Sequence, residues 1–358
     1  MRKVIFLSLM LVLTVSLILS GCGTSETTPK APSTPKAGSF APTSFELTLA
    51  AYNEPPHFIP LTCIRWMEEM AEFTRNRVKF TPYWGESLLK ADAIHDGVLE
   101  GVADIGITMP TYTKGRFPIA GAIELPLGYL DGVLASQVAY DVIKKFQPAE
   151  LNNVHLLYVT GMGSPVLVSS KPVRTLEDMK SMKVGTVGNM AKIVEQLGGV
   201  PVPMSITEVY DALQKGTIDC AMTNLDTVEL FKLAEVAKYI TDIHCVGYTS
   251  LNLVLMNINK WNSLPEEIQA AFVDRDRKYS VITGEAWDQA DKHAMNYALE
   301  LGAEFIEMSP EEQDRWRAAM RPIIDDYIAT LESEGLPGKE IVDYAEATII
   351  KWLRIFPR

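Results

Sequence analysis

Lys183-Val184-Gly185-Thr186, then Met190 to Leu197, Gly198-Gly199, Ile206 to Lys215, Gly216, and Ile218-Asp219-Cys220-Ala221-Met222. Read in order, this stretch is strand, helix, glycine stop, helix, glycine stop, strand. Each helical segment repeats its apolar residues at the 3.6-residue period, and each is ended by a glycine that can take the left-handed conformation needed to leave a helix. A strand returning beside an earlier one through an intervening helix makes a parallel pair, so the pattern predicts an α/β body with helices on both sheet faces.

The same alternation continues outward in both directions. Phe45 to Ala50 alternates apolar and polar residues as a strand does, His57 to Asn76 is helical, and Val78 to Tyr83 is a strand again. Ala91 to Glu100 is helical up to Gly101, and Ala103 to Thr108 is a short apolar strand. Strands Val154 to Val159 and Val166 to Ser169 flank a Gly-rich bend, and Thr175 to Met179 fits a capped helical turn. Leu251 to Asn257 is a strand, and from Pro265 the pattern is almost wholly helical, with one long run from Glu266 to Leu301. No internal repeat is visible.

The bulk properties bound the function. The chain has 358 residues, 47% of them hydrophobic and 22% charged, which suits about two domains and excludes a wholly disordered chain. Lys plus Arg number 33 against 45 Asp plus Glu, a formal charge of −12, so the surface repels phosphate and nucleic acid is not an expected partner. Four cysteines are too few for a disulfide scaffold, and the five histidines show no metal-site spacing.

The N-terminus reads as an address. Arg2 and Lys3 precede an uncharged run from Val4 to Leu19, too short to span a bilayer as a helix. Leu19-Ser20-Gly21-Cys22 resembles the bacterial lipobox, whose cysteine is lipidated and becomes the first mature residue. Residues 1–21 are therefore expected to be a signal peptide. Residues 22–44, rich in Thr, Ser, Pro, Ala and Gly, are expected to form a disordered tether from the lipid on Cys22. Lipidation leaves Cys63, Cys220 and Cys245, which allow at most one disulfide.

Catalytic patterns are missing from the sequence. His57, His95, His155, His244 and His293 give no HExxH, and no CxxC, GxGxxG or P-loop occurs. Gly161-Met162-Gly163-Ser164-Pro165 has proline where a nucleophile elbow has glycine. Acidic pairs such as Glu68/Glu69 and Glu311/Glu312 sit on helical patterns as solvated faces. No catalytic residue, cofactor or metal is expected, and the enzyme reading, an extracellular hydrolase, ranks last.

Several motifs, in order, resemble the solute-binding proteins of TRAP transporters. Lys171 to Val184 and Glu208 to Asp219 match the two signatures of the family's second lobe. Glu235 and Tyr239 follow at the family spacing, Lys260 to Glu267 matches a later motif, and Leu125-Pro126-Leu127 an earlier one. The resemblance covers residues 45 to 350. It implies two α/β lobes joined by crossing strands, with a long helix spanning both and solute held in the cleft by lobe closure. It also implies delivery to the separate membrane subunits of a TRAP permease. On this basis lobe 1 is expected from residues 45–162 plus 251–290, and lobe 2 from 163–250 plus 291–358. A sensing lipoprotein without a transport role is the alternative.

Two departures stand out. Most family members clamp a ligand carboxylate with an arginine directly after the first signature; Gly185 stands there. A second frequent arginine aligns with Pro165. Arg116 ranks first as a relocated cation, ahead of Arg65 and Arg174. The ligand-facing set implied by the resemblance is His57, Trp84, Thr108, Tyr112, Arg116, Met162, Gly185, Thr186, Asn189, Thr223, Asn224 and Asp226. Asp226 would meet an amine or hydroxyl, or else cap the helix that follows.

Overall fold

A computed structural model of the chain describes residues 44–113, 115–186 and 190–355, all within one compact unit. The expected signal peptide, the tether with Cys22, and Asn189 lie outside the described residues. Eleven strands fall into two sheets. The first contains β1 (Phe45–Ala51), β2 (Val78–Tyr83), β3 (Ile105–Thr108), β4 (Val154–Gly161) and β10 (Leu251–Asn257), in the order β2-β1-β3-β10-β4. The second contains β5 (Pro165–Ser169), β6 (Lys183–Thr186), β7 (Val200–Pro203), β8 (Cys220–Asn224), β9 (Tyr239–Asp242) and β11 (Glu304–Ile306), in the order β11-β9-β5-β8-β6-β7. Each sheet is mixed: β1 runs parallel to β2 and β3, and β6 parallel to β7 and β8, while β10 and β5 run antiparallel to both their neighbours.

The helices are α1 (Phe58–Phe73), α2 (Ile94–Glu100), α3 (Pro118–Ile123), α4 (Gly132–Phe146), α5 (Ala191–Gln196), α6 (Ile206–Gln214) and α7 (Asp226–Leu230). They continue with α8 (Ile258–Ser263), α9 (Glu266–Val273), α10 (Asp276–Glu300), α11 (Pro310–Ala319), α12 (Arg321–Ser333) and α13 (Gly338–Ile355).

Burial follows the two-residue period of strands. In β10, Leu251, Leu253 and Leu255 face a core shared with α3 and α4, while Val254 and Met256 face a core shared with α1 and α9. A strand apolar on both faces is what a sheet covered on both sides requires. The second sheet repeats the plan: Val184 and Met222 face α5 and α11, whereas Ala221 faces α6 and α10. The predicted turn at Thr175 has its capping box with Asp178, and α6 is started by a box between Ser205 and Glu208.

The chain passes between the lobes four times, the last time between α11 and α12. The bend after β4 carries the chain from the first sheet to the second, and the segment between β9 and β10 carries it back. The long helix α10 then crosses again, placing Tyr279 and Trp287 in the first lobe's core and Ala294 and Ala298 in the second's. At about 1.5 Å per residue its length is roughly 37 Å, enough to brace both lobes.

The C-terminal boundary needs correction. The last helices, expected within lobe 2, pack against lobe 1: Ile324, Leu331, Ile341, Val342, Ala345 and Ile349 join the core of α3 and α4. Only α11 remains with the second lobe, through Trp316 and Met320. The apolar stripe of α13 packs on α3 and α4.

Candidate functional site

A cavity of about 1180 Å³ lies between the lobes. Lobe 1 contributes Tyr52, His57 and the loop from Met109 to Tyr112; lobe 2 contributes the start of α5 and residues 224–231; the crossings contribute Met162, Thr249 and Ser250. The strand ends and loops that form such a crevice are where open α/β sheets hold their ligands. At its base the two crossing segments are tied together. The Met162 amide donates to the Ser250 carbonyl at 3.1 Å, and the Thr249 hydroxyl to the Met162 carbonyl at 3.0 Å.

Aromatic rings supply much of the wall. Tyr52 and Tyr112 meet edge to face with centroids 5.1 Å apart, and the Tyr52 hydroxyl donates to Asn252 Oδ1 at 2.5 Å. His57 caps α1, its Nδ1 accepting from the Ile59 amide at 3.2 Å. Its ring stacks on Phe58 at 4.4 Å and approaches Trp287 edge-on at 6.3 Å. Burial lowers the His57 pKa, keeping the ring neutral at pH 7.

The charged groups inside the cavity are carboxylates. Glu124 closes α3 and accepts the Leu251 amide at 2.8 Å; burial pushes its pKa up to about 8, against the lowering effect of that bond. Asp226 opens α7; burial raises its pKa to about 6, and its Oδ1 is sealed from solvent without a hydrogen-bond partner. Behind it, Asp291 of α10 accepts the Asp226 amide at 3.1 Å. Burial, then the charges of Asp226 and Asp288, raise Asp291 to about 8.

Five of the expected ligand-facing residues, His57, Tyr112, Met162, Asn224 and Asp226, stand on the cavity wall. Asn224 also braces the base, donating to the Gly163 carbonyl at 3.2 Å. Asp226 is not the N-cap of its helix; Leu225 holds that position and Asp226 is the first helical residue.

Six others lie off the wall, each for a visible reason. Trp84 packs against the lobe-1 core beside α1. Thr108 and Thr186 are buried at strand ends, and the Thr223 hydroxyl pairs with Thr227 at 2.8 Å. Arg116 turns outward, where its guanidinium forms a two-pronged ion pair with Asp96. A Cβ on Gly185 would start 2.8 Å from Ile218 Cδ1 and 3.2 Å from Met204 Sδ, so apolar groups fill the space an arginine stem would need.

Tyr52, Glu124, Phe231, Tyr248 and Trp287 are wall residues that the sequence reading missed. Leu125-Pro126, already matched to a family motif, pointed at the neighbouring Glu124. Nothing local marked Trp287, which reaches the cavity only because α10 crosses both lobes.

Two lobes, four crossings of the chain and an aromatic, carboxyl-bearing cleft between them define a cleft-type solute receptor. Residues 53–330 match the family model described as bacterial extracellular solute-binding protein, family 7, and the chain belongs to that family. It is a family of solute-binding receptors and not an enzyme class. A solute-binding protein of Albidiferax ferrireducens is 26% identical over 267 residues, covering 71% of this chain and 76% of the relative. A TRAP periplasmic solute-binding protein from Desulfovibrio salexigens superposes with a TM-score of 0.83 at 29% identity, over 86% of this chain and 97% of its own. A marine metagenome TRAP solute-binding protein, described as specific for aromatic acid ligands and bound to 3-hydroxybenzoate, gives 0.77 at 26% identity, over 86% and 99%. Among the described residues, no helix is long and apolar enough to cross a membrane.

Proposed function

We propose that the chain is the extracytoplasmic receptor of a TRAP-type secondary transporter. It captures a small organic solute in the interlobe cleft by lobe closure and delivers it to the membrane subunits of a permease. The carrying observation is the cavity itself, walled by both lobes and floored by the two crossings. A solute touching both walls binds the closed arrangement better than the open one, and that difference in affinity drives closure. Lipidation at Cys22 would hold the body at the outer face of a bacterial membrane, within reach of such a permease.

The arginine clamp does not feature in this reading. Gly185 and Pro165 replace the two arginines, Arg116 is engaged by Asp96, and Lys192, at the rim, is the basic side chain on the described wall. Contact with solute falls instead to His57, Tyr112, Met162, Asn224 and Asp226, with Tyr52 and Trp287 supplying apolar area.

A thermal-shift screen of the purified chain against organic acids, amines, sugars and neutral aromatics tests the proposal. A ligand at a hundred times its Kd adds about 2.7 kcal/mol to stability, so a true solute raises Tm by several degrees. A complete panel without a saturable shift would refute the receptor reading.

A further inference from the structure

We propose that the solute carries a protonated amine on a small, largely apolar body, its ammonium group seated between Asp226, Glu124 and the surrounding rings. The inference rests on the receptor reading above and concerns the same cleft.

Three independent features of the cavity lead to it. The first is the sign of the interior charge. Glu124 and Asp226 are partly buried on the wall, whereas Lys192, Glu195 and Asp326 are exposed at its rim. The acidic groups of this interior are carboxyls that burial holds toward their protonated form; an ammonium group entering it would let them ionise, whereas the carboxylate of an organic acid would meet no described cation in the interior.

The second is an oxygen without a donor. Asp226 Oδ1 is buried and unpartnered, although the carboxyl takes the Thr227 amide, and the Asp291 Oδ1 beside it is already taken by the Asp226 amide. Buried acceptors are normally paired, so the carboxylate must either hold a proton or receive a donor that arrives from outside. An ammonium group supplies both the donors and the compensating charge. Burial raises the pKa of both Asp226 and Asp291, and the charges of Asp226 and Asp288 raise Asp291 further.

The third is the wall. Tyr52, Tyr112, Phe231, Tyr248 and Trp287 present ring faces and edges around the same space. A cation within about 6 Å of a ring face is attracted by its quadrupole, and the attraction grows when water is excluded. Rings would also stack an aromatic acid, so they do not decide the sign; the carboxylates do.

Matched isosteres test the proposal by titration calorimetry on the full chain in mild detergent: benzylamine against benzoate, and phenethylamine against phenylacetate. The expected result is saturable binding of at least one amine, at least tenfold tighter than its acid isostere. Asp226→Asn should weaken that amine more than tenfold while leaving Tm without ligand at or above that of the wild type. Should that variant fail to fold, Glu124→Gln gives the same reading through the second carboxylate. Acids binding tighter than amines, with the acid lost on Lys192→Ala, would overturn the proposal. An amine affinity indifferent to both carboxylate variants would do the same. If neutral sugars or aromatics bind and no amine does, the amine proposal fails while the receptor reading stands. If nothing in the panel binds, the receptor reading fails first.

Discussion

Asp291→Asn should make the protein more stable, and more so as pH rises. The unfolded carboxyl titrates near 3.9, while the folded one is raised to about 8 by burial and by the neighbouring Asp226 and Asp288. A carboxyl with a raised folded pKa costs nothing below about pH 4. Above that, the unfolded chain gains from ionising while the folded one stays protonated, so stability falls progressively up to about pH 8. At 1.36 kcal/mol per unit, the full penalty at pH 7 is about 4 kcal/mol. Asp291 is only partly buried, and relaxation with water penetration halves this to about 2 kcal/mol. Asparagine removes the charge and still accepts the Asp226 amide through Oδ1, the bond seen at 3.1 Å. Urea denaturation at pH 4.5 and pH 7.5 measures the effect. The midpoint should scarcely change at the lower pH and should rise by roughly 0.7 M at the higher, taking a slope of about 3 kcal/mol/M. Equal shifts at the two pH values, or a variant weaker than wild type at pH 7.5, would refute the reasoning. At pH 7 the folded Asp291 carboxyl is already protonated, so the same substitution should leave amine affinity at that pH unchanged.

Three further outcomes follow from the same geometry. Gly185→Arg should destabilise the fold by about 1–3 kcal/mol in denaturant titrations, because the new side chain begins among Ile218 and Met204; it should not create affinity for benzoate, and a gain of such binding would show that the stem reaches the cleft. Arg116→Ala should change the affinity of any solute found in the screen by less than about twofold, since the guanidinium is held by Asp96 outside the cavity; a tenfold loss in calorimetry would return Arg116 to the site. The three described cysteines are free and buried, with the Cys63 and Cys245 thiols pushed up to about 12 and Cys220 higher still by burial. Iodoacetamide at pH 8 should therefore leave all three unlabelled in the folded protein and label them in urea, as mass spectrometry would show; rapid labelling of any of them without denaturant would contradict their burial.

Much of the architecture was legible because strands buried on both faces and amphipathic helices write their periods into the sequence. β1, β2, β6 and β10 fall where their alternation places them, and α6 ends beside Gly216, whose φ of +66° an L side chain rarely adopts. The elements that escaped are those whose formation depends on partners. β7, β9 and β11 have three or four residues, and β7 carries two prolines at a sheet edge; none is long enough to show a period. α4 carried a local signal, the Asp131 cap accepting from the Leu134 amide, that went unread. The side to which α12 and α13 return is a tertiary choice: they pack on α3, and α13 also on α4, of lobe 1.

The site divides along the same line. Loops next to strand ends brought His57, Tyr112, Asn224 and Asp226 to the cleft because chain connectivity alone puts those loops there. Whether a strand residue faces the cleft or the core depends on one step of register, and alignment to a motif gives the position without the facing. Gly185 shows the difference: at the position that the resemblance gives to an arginine, the Cβ direction leads into apolar packing. That changes what the missing arginine means. A bare deletion would leave a hole that a relocated cation could fill from nearby, and Arg116 was the natural candidate. A filled space with Arg116 paired elsewhere is instead a cleft rebuilt around its carboxylates. With Gly185 and Pro165 where the resemblance expects arginines, and Glu124 and Asp226 on the wall, the proposed amine is the solute whose charge would let those carboxyls ionise.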